Sequence, residues 1–378
     1  MATALDHGRI EQTLKSVRDP IFNQDLVSLG CVQNIDISAQ NTVTVSLGWL
    51  IPKHPNEADM LSAITNAVGA IPGVQHVVCK TAFKSPEVNR GLSHQGGARA
   101  AGVSRIDGVS HIIAVSSGKG GVGKSTVAVN LAVSLAKQGA KVGLMDADVY
   151  GPNVPTMMGV TEGPKIVQDP KRGELFIPPT AHGVKVMSMG FLIDVDQPLV
   201  WRGPMLHSVM QQFCHQVDWG TLDYLIVDMP PGTGDVQLSL AQMVPMTGSV
   251  LVTTPQEVSL QDVRKAYHMF EKVKVPLIGF VENMSYFQPD LNGTKYYIFG
   301  QNGGKKIAEK FGKKLLAEFP ITPAVREGGD AGRPLVVADP YAPTAQIFDL
   351  LATEVATIVA RMSLEGIDPV QVVQIGKF

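Results

Sequence analysis

One nine-residue segment constrains the fold of this chain more than any other feature of its sequence. It consists of Gly118, Lys119, Gly120, Gly121, Val122, Gly123, Lys124, Ser125 and Thr126. The segment follows an apolar run at 112–116 and precedes a helical pattern at 126–137, which is the context that a phosphate-binding loop requires. Its glycines let backbone N–H groups face phosphate oxygens, Lys124 can reach the β and γ phosphates, and Ser125 can bind Mg²⁺. A plain glycine-rich turn is the alternative.

Short β-branched runs alternate with helical patterns beyond this loop, as expected for strands that are covered by helices on both faces. The runs lie at 112–116, 141–146, 184–187, 224–228, 250–253 and 277–281. An amphipathic helix follows near the end of the chain, and its apolar stripe consists of Ile347, Leu350, Leu351, Val355, Ile358, Val359 and Met362. We therefore expect an α/β fold with a doubly wound, mostly parallel sheet, and with this helix docked on the sheet.

Residues 1–85 predict a separate small α/β domain. Val43, Val45 and Leu47 alternate with polar residues as in a half-buried strand, and helical patterns lie on both sides of this region. The expected order is helix, strand, strand, helix, strand, with one sheet covered by two helices. Residues 86–108 are rich in Gly, Ser and Ala and predict a flexible linker. The domain with the phosphate-binding loop would then span 109–378.

Acidic residues end two of the predicted strands. Asp228 ends the run 224–228, an arrangement that can hold a Mg²⁺-bound water beside a phosphate-binding loop. Asp146 and Asp148 end another strand, and their period-two spacing sends both side chains to the same side. One of this pair is expected to interact with the ligand shell of the metal ion, and the other with the attacking water. The alternative is that these residues only cap a strand end or a turn.

Charge balance and cysteine content limit the partners and the compartment. The 378 residues include 32 Lys and Arg against 34 Asp and Glu, and this net charge of −2 argues against a nucleic-acid partner. The N-terminus has no secretory pattern and no apolar run approaches about 18 residues, so we expect a cytoplasmic protein without a membrane partner. Cys31, Cys79 and Cys214 are far apart and odd in number, which favours reduced, buried thiols.

Several motifs together resemble one family of ATPases. The loop with its additional Lys119 resembles the deviant P-loop of the superfamily that includes the nitrogenase iron protein, MinD and ParA. Further segments resemble the Mrp/ApbC family of iron–sulfur cluster carrier ATPases. They are DADVYGPNVP at 146–155, WRGPM at 201–205, DMPPGTGD at 228–235, ENMSYF at 282–287 and VREGGD at 325–330. Residues 1–85 resemble the MIP18-like domain that many members carry, so the resemblance covers nearly the whole chain.

This resemblance implies an ATP-hydrolysing homodimer whose partners are iron–sulfur apoproteins or assembly factors. It implies that residues 118–126 bind ATP, that Asp228 holds Mg²⁺ through water, and that Asp148 positions the attacking water. Asn283 would contact the adenine, and Lys119 would reach across the dimer to the partner's phosphates. The catalytic residues that the resemblance implies are Lys119, Lys124 and Asp148.

The chain departs from the family pattern where a cluster would bind. Family members carry a C-x-x-C motif after Ser-Tyr-Phe, whereas this chain has Pro289 and Asn292 at the cysteine positions. A bridging [4Fe–4S] cluster takes two cysteines from each chain, so no cluster cysteines are identified. His54 lies where many relatives carry a reactive cysteine, and we expect an exposed loop histidine, with metal binding as the alternative. Two functions stay open, a cluster carrier and a nucleotide-switched scaffold that recruits proteins without carrying a cluster.

Overall fold

The computed structural model describes residues 5–86, 105–170, 172–192, 203–290 and 293–366. Residue contacts divide the chain into two compact units. The first unit comprises Met1–Glu87 and Ala356–Glu365, and the second comprises Val88–Val355 and Gly366–Phe378. Most of the predicted linker lies outside the described residues, and so does Asn292. Ile106, near the end of the predicted linker, is buried in the core of the second unit.

The first unit contains a three-stranded sheet and two helices in the predicted order. Its elements are α1 (His7–Leu14), β1 (Arg18–Asp19), β2 (Gln24–Asp25), β3 (Val32–Ile37), β4 (Thr42–Trp49), α2 (Glu57–Gly69) and β5 (His76–Phe83). The central strand β4 pairs antiparallel with β3 and parallel with β5. Val43, Val45 and Leu47 are buried, which confirms the predicted alternation. The short hairpin formed by β1 and β2 is an addition to the predicted order.

His54 is buried, and the prediction of an exposed loop histidine is wrong. Its ring nitrogen Nε2 lies 3.0 Å from Oδ2 of Asp19, and both side chains are almost completely buried. The backbone N–H of Asn56 donates to Nδ1 (3.2 Å), so the proton of the neutral ring lies on Nε2 and is donated to Asp19. Asp19 Oδ1 also accepts from the backbone N–H groups of Ile21 and Phe22, at 2.7 and 3.2 Å. Both ring nitrogens are therefore engaged, which leaves neither free for a metal.

The second unit is built on an eight-stranded sheet. Only the edge strand β10 is antiparallel to its neighbour, and the other pairs are parallel. In spatial order the strands are β10 (Thr180–Ala181), β11 (Val184–Ser188), β7 (Val142–Asp146), β12 (Leu222–Asp228), β6 (Val109–Ser117), β13 (Gly248–Thr253), β14 (Leu277–Glu282) and β15 (Leu315–Glu318). Strands β7, β13 and β14 are buried along their whole length, which explains their continuous apolar runs. The predicted fold class is confirmed.

Helices on both faces cover this sheet. They are α3 (Lys124–Lys137), α4 (Val154–Met158), α5 (Gly203–His215), α6 (Asp235–Met243), α7 (Glu257–Lys272), α8 (Gly303–Lys310), α9 (Pro323–Asp330), α10 (Leu335–Ala338) and the first part of α11 (Pro343–Leu364). The last turns of α11, residues 356–365, group with the first unit instead of with the sheet. Leu350 is 69% exposed, so it does not belong to the buried stripe of α11 that the sequence predicted. No described helix combines the length and the apolar character that crossing a membrane would require.

The strands that the sequence did not predict are short or exposed. A two-stranded hairpin, β8 (Lys165–Asp169) and β9 (Gly173–Ile177), lies outside the main sheet, and β8 is mostly exposed. Strands β10 and β15 are the short edges of the main sheet. The shortest of these strands have too few residues to show a pattern, and an exposed strand needs no apolar alternation.

Of the three thiols, Cys31 and Cys214 are buried as predicted, whereas Cys79 is half-buried.

Asp19→Ala should destabilise the first unit by about 3 kcal/mol, because it leaves the His54 ring and two backbone N–H groups without their buried acceptor. Urea unfolding of the full chain measures this loss. Asp25→Ala is the matched control, since Asp25 accepts from the backbone N–H groups of Val27 and Ser28 in a similar turn but has no histidine partner. Equal losses in the two variants would contradict a special role for the pair of Asp19 and His54.

The same pair predicts a pH dependence. Burial raises the pKa of Asp19, but the hydrogen bond from His54, with the two backbone hydrogen bonds, outweighs it and brings the pKa below its ordinary value of 3.8. A lowered folded-state pKa stabilises the protein above the unfolded value, and this contribution is lost as pH falls through the folded value. The difference in unfolding free energy between wild type and Asp19→Ala should therefore be constant near neutral pH and shrink below about pH 4.

Candidate nucleotide-binding site

The candidate site lies at the carboxyl ends of the parallel strands in the sheet of the second unit. Asp146 ends β7 and Asp228 ends β12, and the two residues are direct partners in the strand register. Ser188, the last residue of β11, is the register partner of Asp146 on the other side. Strand β6 ends at Ser117, immediately before residues 118–126, which we call the P-loop. Strand order thus brings the predicted residues together, although long stretches of chain separate them.

Close packing explains two glycines of the P-loop. Gly123 has a φ of +86° and is followed directly by α3, and a Cβ there would overlap the side-chain amide of Asn283. A Cβ on Gly118 would overlap the backbone of Asp262 and Val263 in α7. Gly123 needs both the left-handed freedom and the missing Cβ of glycine, whereas Gly118 needs the missing Cβ. The loop therefore holds its shape by contact with α7 on one side and with the end of β14 on the other.

Lys124 is buried among the carboxylates at the carboxyl ends of the strands. Its Nζ lies 2.6 Å from Oδ1 of Asp228 and 3.4 Å from Oδ2 of Asp148, and it donates to the hydroxyl of Ser125 at 3.2 Å. Burial alone would lower the pKa of Lys124, but the carboxylates of Asp228 and Asp148 raise it above its ordinary value of 10.5. The lysine is therefore charged at neutral pH and lies where phosphate groups would be bound.

The hydrogen bonds of Asp146 and Asp148 distinguish the two aspartates. Asp146 Oδ1 accepts from the backbone N–H of Asp148 (3.1 Å), and Oδ2 accepts from Ser188 Oγ (2.8 Å) and the backbone N–H of Val154 (3.3 Å). Burial, together with the neighbouring charge of Asp228, raises the pKa of Asp146 to about 7. Asp148 Oδ1 accepts from the backbone N–H of Tyr150 (3.1 Å), which leaves Oδ2 facing Lys124. Asp146 is thus engaged with the protein, and Asp148 faces the phosphate site.

Asp228 has an oxygen that can serve a metal ion. Its Oδ2 is buried and, in the part of the chain that the structure describes, has no hydrogen-bond partner. Burial raises the pKa of Asp228, and the adjacent Lys124 ammonium opposes that rise. The hydroxyl of Ser125 interacts with the same carboxylate. Carboxylate and hydroxyl oxygens beside a phosphate site suit Mg²⁺, which is bound by few protein groups and keeps several waters, so these residues fit the ion.

Asn283 joins the P-loop to a cavity. It follows the last residue of β14, and its side-chain Nδ2 donates to the backbone oxygen of Val122 at 2.9 Å. The cavity has a volume of about 600 Å³ and lies against Gly123 and Thr126. Its apolar lining includes Met157, Phe299, Phe319, Ile321, Val325 and Phe348. A mostly apolar cavity beside a phosphate loop, with the amide side chains of Asn153 and Asn283 in its wall, can accept a nucleoside.

Lys119 and the loop after Phe287 remain outside these contacts. No described residue is hydrogen-bonded or ion-paired to the ammonium group of Lys119, whose backbone oxygen accepts from Ser117 Oγ at 2.9 Å. Two backbone hydrogen bonds between Phe287 and Tyr296, both 2.8 Å, close the loop that contains the exposed Pro289. Among the described residues, no three His, Cys, Asp or Glu side chains converge on a possible metal position.

The structure also adds residues that the sequence analysis did not identify. Ser188 ends its strand beside Asp146, and the cavity wall contains residues from 319–322 and from the start of α11. The rule that polar residues at the carboxyl ends of parallel strands converge would have identified Ser188, because the strand itself was predicted. Nothing in the sequence marks Phe319 or Phe348, whose rings stack with centroids 4.1 Å apart, as members of the same wall.

Comparisons with known proteins identify the family of this chain. Residues 108–356 match the family of the NUBPL iron-transfer P-loop NTPases, and residues 8–78 match a family described as iron-sulfur cluster assembly protein. An iron-sulfur cluster carrier protein of Synechocystis sp. is 46% identical over 352 residues, which are 93% of this chain and 97% of that protein. The protein of the same description from Deinococcus radiodurans is 44% identical, over 91% of this chain and 93% of its own length.

A solved structure agrees with these relatives. The nucleotide-binding protein of Archaeoglobus fulgidus, in complex with ADP, is 39% identical and superposes with a TM-score of 0.55. The match covers 64% of this chain and 93% of that protein. The family model and the full-length relatives together confirm the resemblance that the motifs indicated. The chain therefore belongs to the family of NUBPL iron-transfer P-loop NTPases.

Proposed function

We propose that the protein is an ATP-binding and ATP-hydrolysing homodimer that carries iron–sulfur clusters, or assists their assembly, for apoprotein clients. The observation that carries this proposal is the buried Lys124 at the P-loop, within 2.6 Å of Asp228 and 3.4 Å of Asp148. Relatives described as iron-sulfur cluster carrier proteins match over almost the whole chain and support the role in cluster transfer. The proposal assigns an MIP18-like domain to 1–85, a flexible linker to 86–108 and the ATPase domain to 109–378.

In this proposal the residues of the site divide the work of hydrolysis. Residues 118–126 bind the phosphates, and Lys124 exchanges its carboxylate partners for the β and γ phosphates of ATP. Asp148 orients the attacking water, because its Oδ2 faces the phosphate site. Ser125 and Asp228 would hold Mg²⁺, the latter through water, and the ion would supply positive charge to the phosphates. The cavity beside Asn283 receives the adenosine.

The cluster itself is cargo, and its ligands are the open part of the proposal. Cys31 and Cys214 are buried, and burial raises the pKa of each thiol to about 12, which opposes the thiolate form that iron requires. Pro289 has no ligand atom, and Asn292 is a poor ligand. These observations favour a second candidate function, a nucleotide-switched scaffold that recruits protein partners without carrying a cluster. A cytoplasmic location, and the absence of membrane and nucleic-acid partners, stay predictions from the sequence.

Lys124→Ala should reduce ATP affinity at least a hundredfold, because the backbone N–H groups cannot replace the charge next to the β and γ phosphates. Isothermal titration calorimetry with an ATP analogue that is hydrolysed slowly measures this loss. Lys137→Ala is the matched control, since Lys137 lies at the other end of α3 and donates to the backbone oxygen of Val336 at 2.7 Å. Wild-type affinity in Lys124→Ala would remove the basis of the proposed ATP site.

Dimerisation should tighten when the same ATP analogue is bound, and Lys119→Ala should remove this effect. The ammonium of Lys119 has no partner among the described residues, so it can gain one when a second subunit presents its phosphates. A ligand that binds better to the dimer must stabilise the dimer by the same coupling free energy. Sedimentation velocity with and without the analogue measures the dimer fraction, and Lys165→Ala, in the exposed hairpin of β8, is the control. Equal dimer fractions for wild type and Lys119→Ala would argue against a role in trans.

The purified chain alone should not hold a stoichiometric [4Fe–4S] cluster, because the family's bridging positions lack thiols. Anaerobic reconstitution with iron and sulfide, followed by desalting and iron analysis, measures the bound cluster. Pro289→Cys with Asn292→Cys should restore it, and Pro289→Ser with Asn292→Ser controls for the loss of proline without adding thiols. About four irons per wild-type dimer after desalting would show that the ligands lie elsewhere, and would favour the carrier over the scaffold.

A further inference from the structure

Ser188 makes a buried hydrogen bond that the mechanism above does not use. Its hydroxyl accepts from the backbone N–H of Gly190 at 2.9 Å and donates to Oδ2 of Asp146 at 2.8 Å. Both Ser188 and Asp146 are fully buried and are neighbours in the register of β11 and β7. Because the Gly190 N–H occupies a lone pair of the hydroxyl, the hydroxyl proton is directed at the carboxylate. The bond therefore has one defined orientation.

Asp146 in turn fixes both ends of the loop that contains Asp148. It accepts from the backbone N–H of Asp148 at the start of this loop and from the backbone N–H of Val154 at its end. The would-be Cβ of Gly190 lies 3.3 Å from Cβ of Pro152, so the turn after Ser188 also packs on the middle of the loop. Both oxygens of Asp146 are thus engaged, and Ser188 is the one side chain among the three donors.

We propose that Ser188 is a positioning residue for ATP hydrolysis, which acts through Asp146 to hold Asp148 in front of the phosphate site. The inference rests on the proposed ATPase function. The backbone of this loop positions Asp148, because its Oδ1 accepts from the backbone N–H of Tyr150. Its Oδ2 then lies 3.4 Å from Nζ of Lys124. Without the Ser188 hydroxyl, Asp146 keeps only backbone donors, and the start of the loop can shift. Hydrolysis is sensitive to shifts of well under an ångström in a water-orienting group, whereas ATP binding does not depend on Asp148.

Ser188→Ala in the full-length chain should lower kcat about tenfold and leave the KM for ATP within about twofold of wild type. Phosphate release gives the turnover, which is divided by the fraction of chains that bind a fluorescent ATP analogue, so that unfolded protein does not count. Ser249→Ala is the matched control, because Ser249 is also a fully buried strand serine, and its hydroxyl donates to the backbone oxygen of Pro276 at 3.3 Å. The control should keep the wild-type kcat even if its melting temperature falls.

A double-mutant cycle with Asp148→Ala separates positioning from a general loss of stability. Asp148→Ala should bind ATP and hydrolyse it about 10² to 10⁴ times more slowly, as for the loss of a water-activating group. If Ser188 acts through Asp148, Ser188→Ala lowers kcat in the wild-type background but not in the Asp148→Ala background. An equal fold loss in both backgrounds would overturn the inference, and so would an unchanged kcat in Ser188→Ala.

Two further outcomes are distinguishable. If wild type does not hydrolyse ATP, or if Asp148→Ala keeps the wild-type rate, the proposed function fails, and the inference falls with it. If Asp148→Ala is slow but Ser188→Ala matches wild type, only the role of Ser188 is refuted. Should Ser188→Ala fail to fold, Ser188→Cys provides the same test, because it keeps nearly the same size but is a weak donor. Its kcat should then lie below that of wild type, and a wild-type kcat in a folded Ser188→Cys would refute the positioning role.

Discussion

The ion pair between Lys124 and Asp228 is the interaction on which the site depends. Three carboxylates lie buried at the carboxyl ends of the strands, and Lys124 is the cation among them. They belong to Asp146, Asp148 and Asp228. An unpaired charge in such a place would cost several kcal/mol, so a lysine at the first position of α3 stabilises the strand ends as well as the ligand site. The glycines of the P-loop make this possible, because they let the chain turn from β6 into α3 within a few residues.

The part of this arrangement that sequence could predict is local or periodic. The spacing of the P-loop and the apolar runs of the strands are short patterns, and parallel pairing places the carboxyl ends of those strands side by side. Asp148 and Asp228 could therefore be expected near the P-loop from these patterns, whereas Asn283 was expected there only from the family resemblance. The choice between Asp146 and Asp148 could not be made in this way, because it depends on which donors surround each carboxylate.

The features that escaped prediction are contacts between distant parts of the chain. His54 is buried because Asp19, 35 residues earlier, accepts its ring N–H, and no local pattern indicates that pair. Ser188 bonds to Asp146 across 42 residues for the same kind of reason. The exposed hairpin strand β8 shows the converse, since a strand with little buried surface leaves no alternation in the sequence. Burial and partners, rather than residue type, decide such cases.

The hydrogen bond from Asn283 to Val122 has a thermodynamic consequence. It links the wall of the nucleoside cavity to the middle of the P-loop without any ligand, at 2.9 Å. The backbone entropy of a glycine-rich loop, which is large in an unfolded chain, is therefore lost when the protein folds and not when a nucleotide arrives. Binding can then proceed on a surface that is already organised, so less of the interaction energy is consumed by ordering the loop.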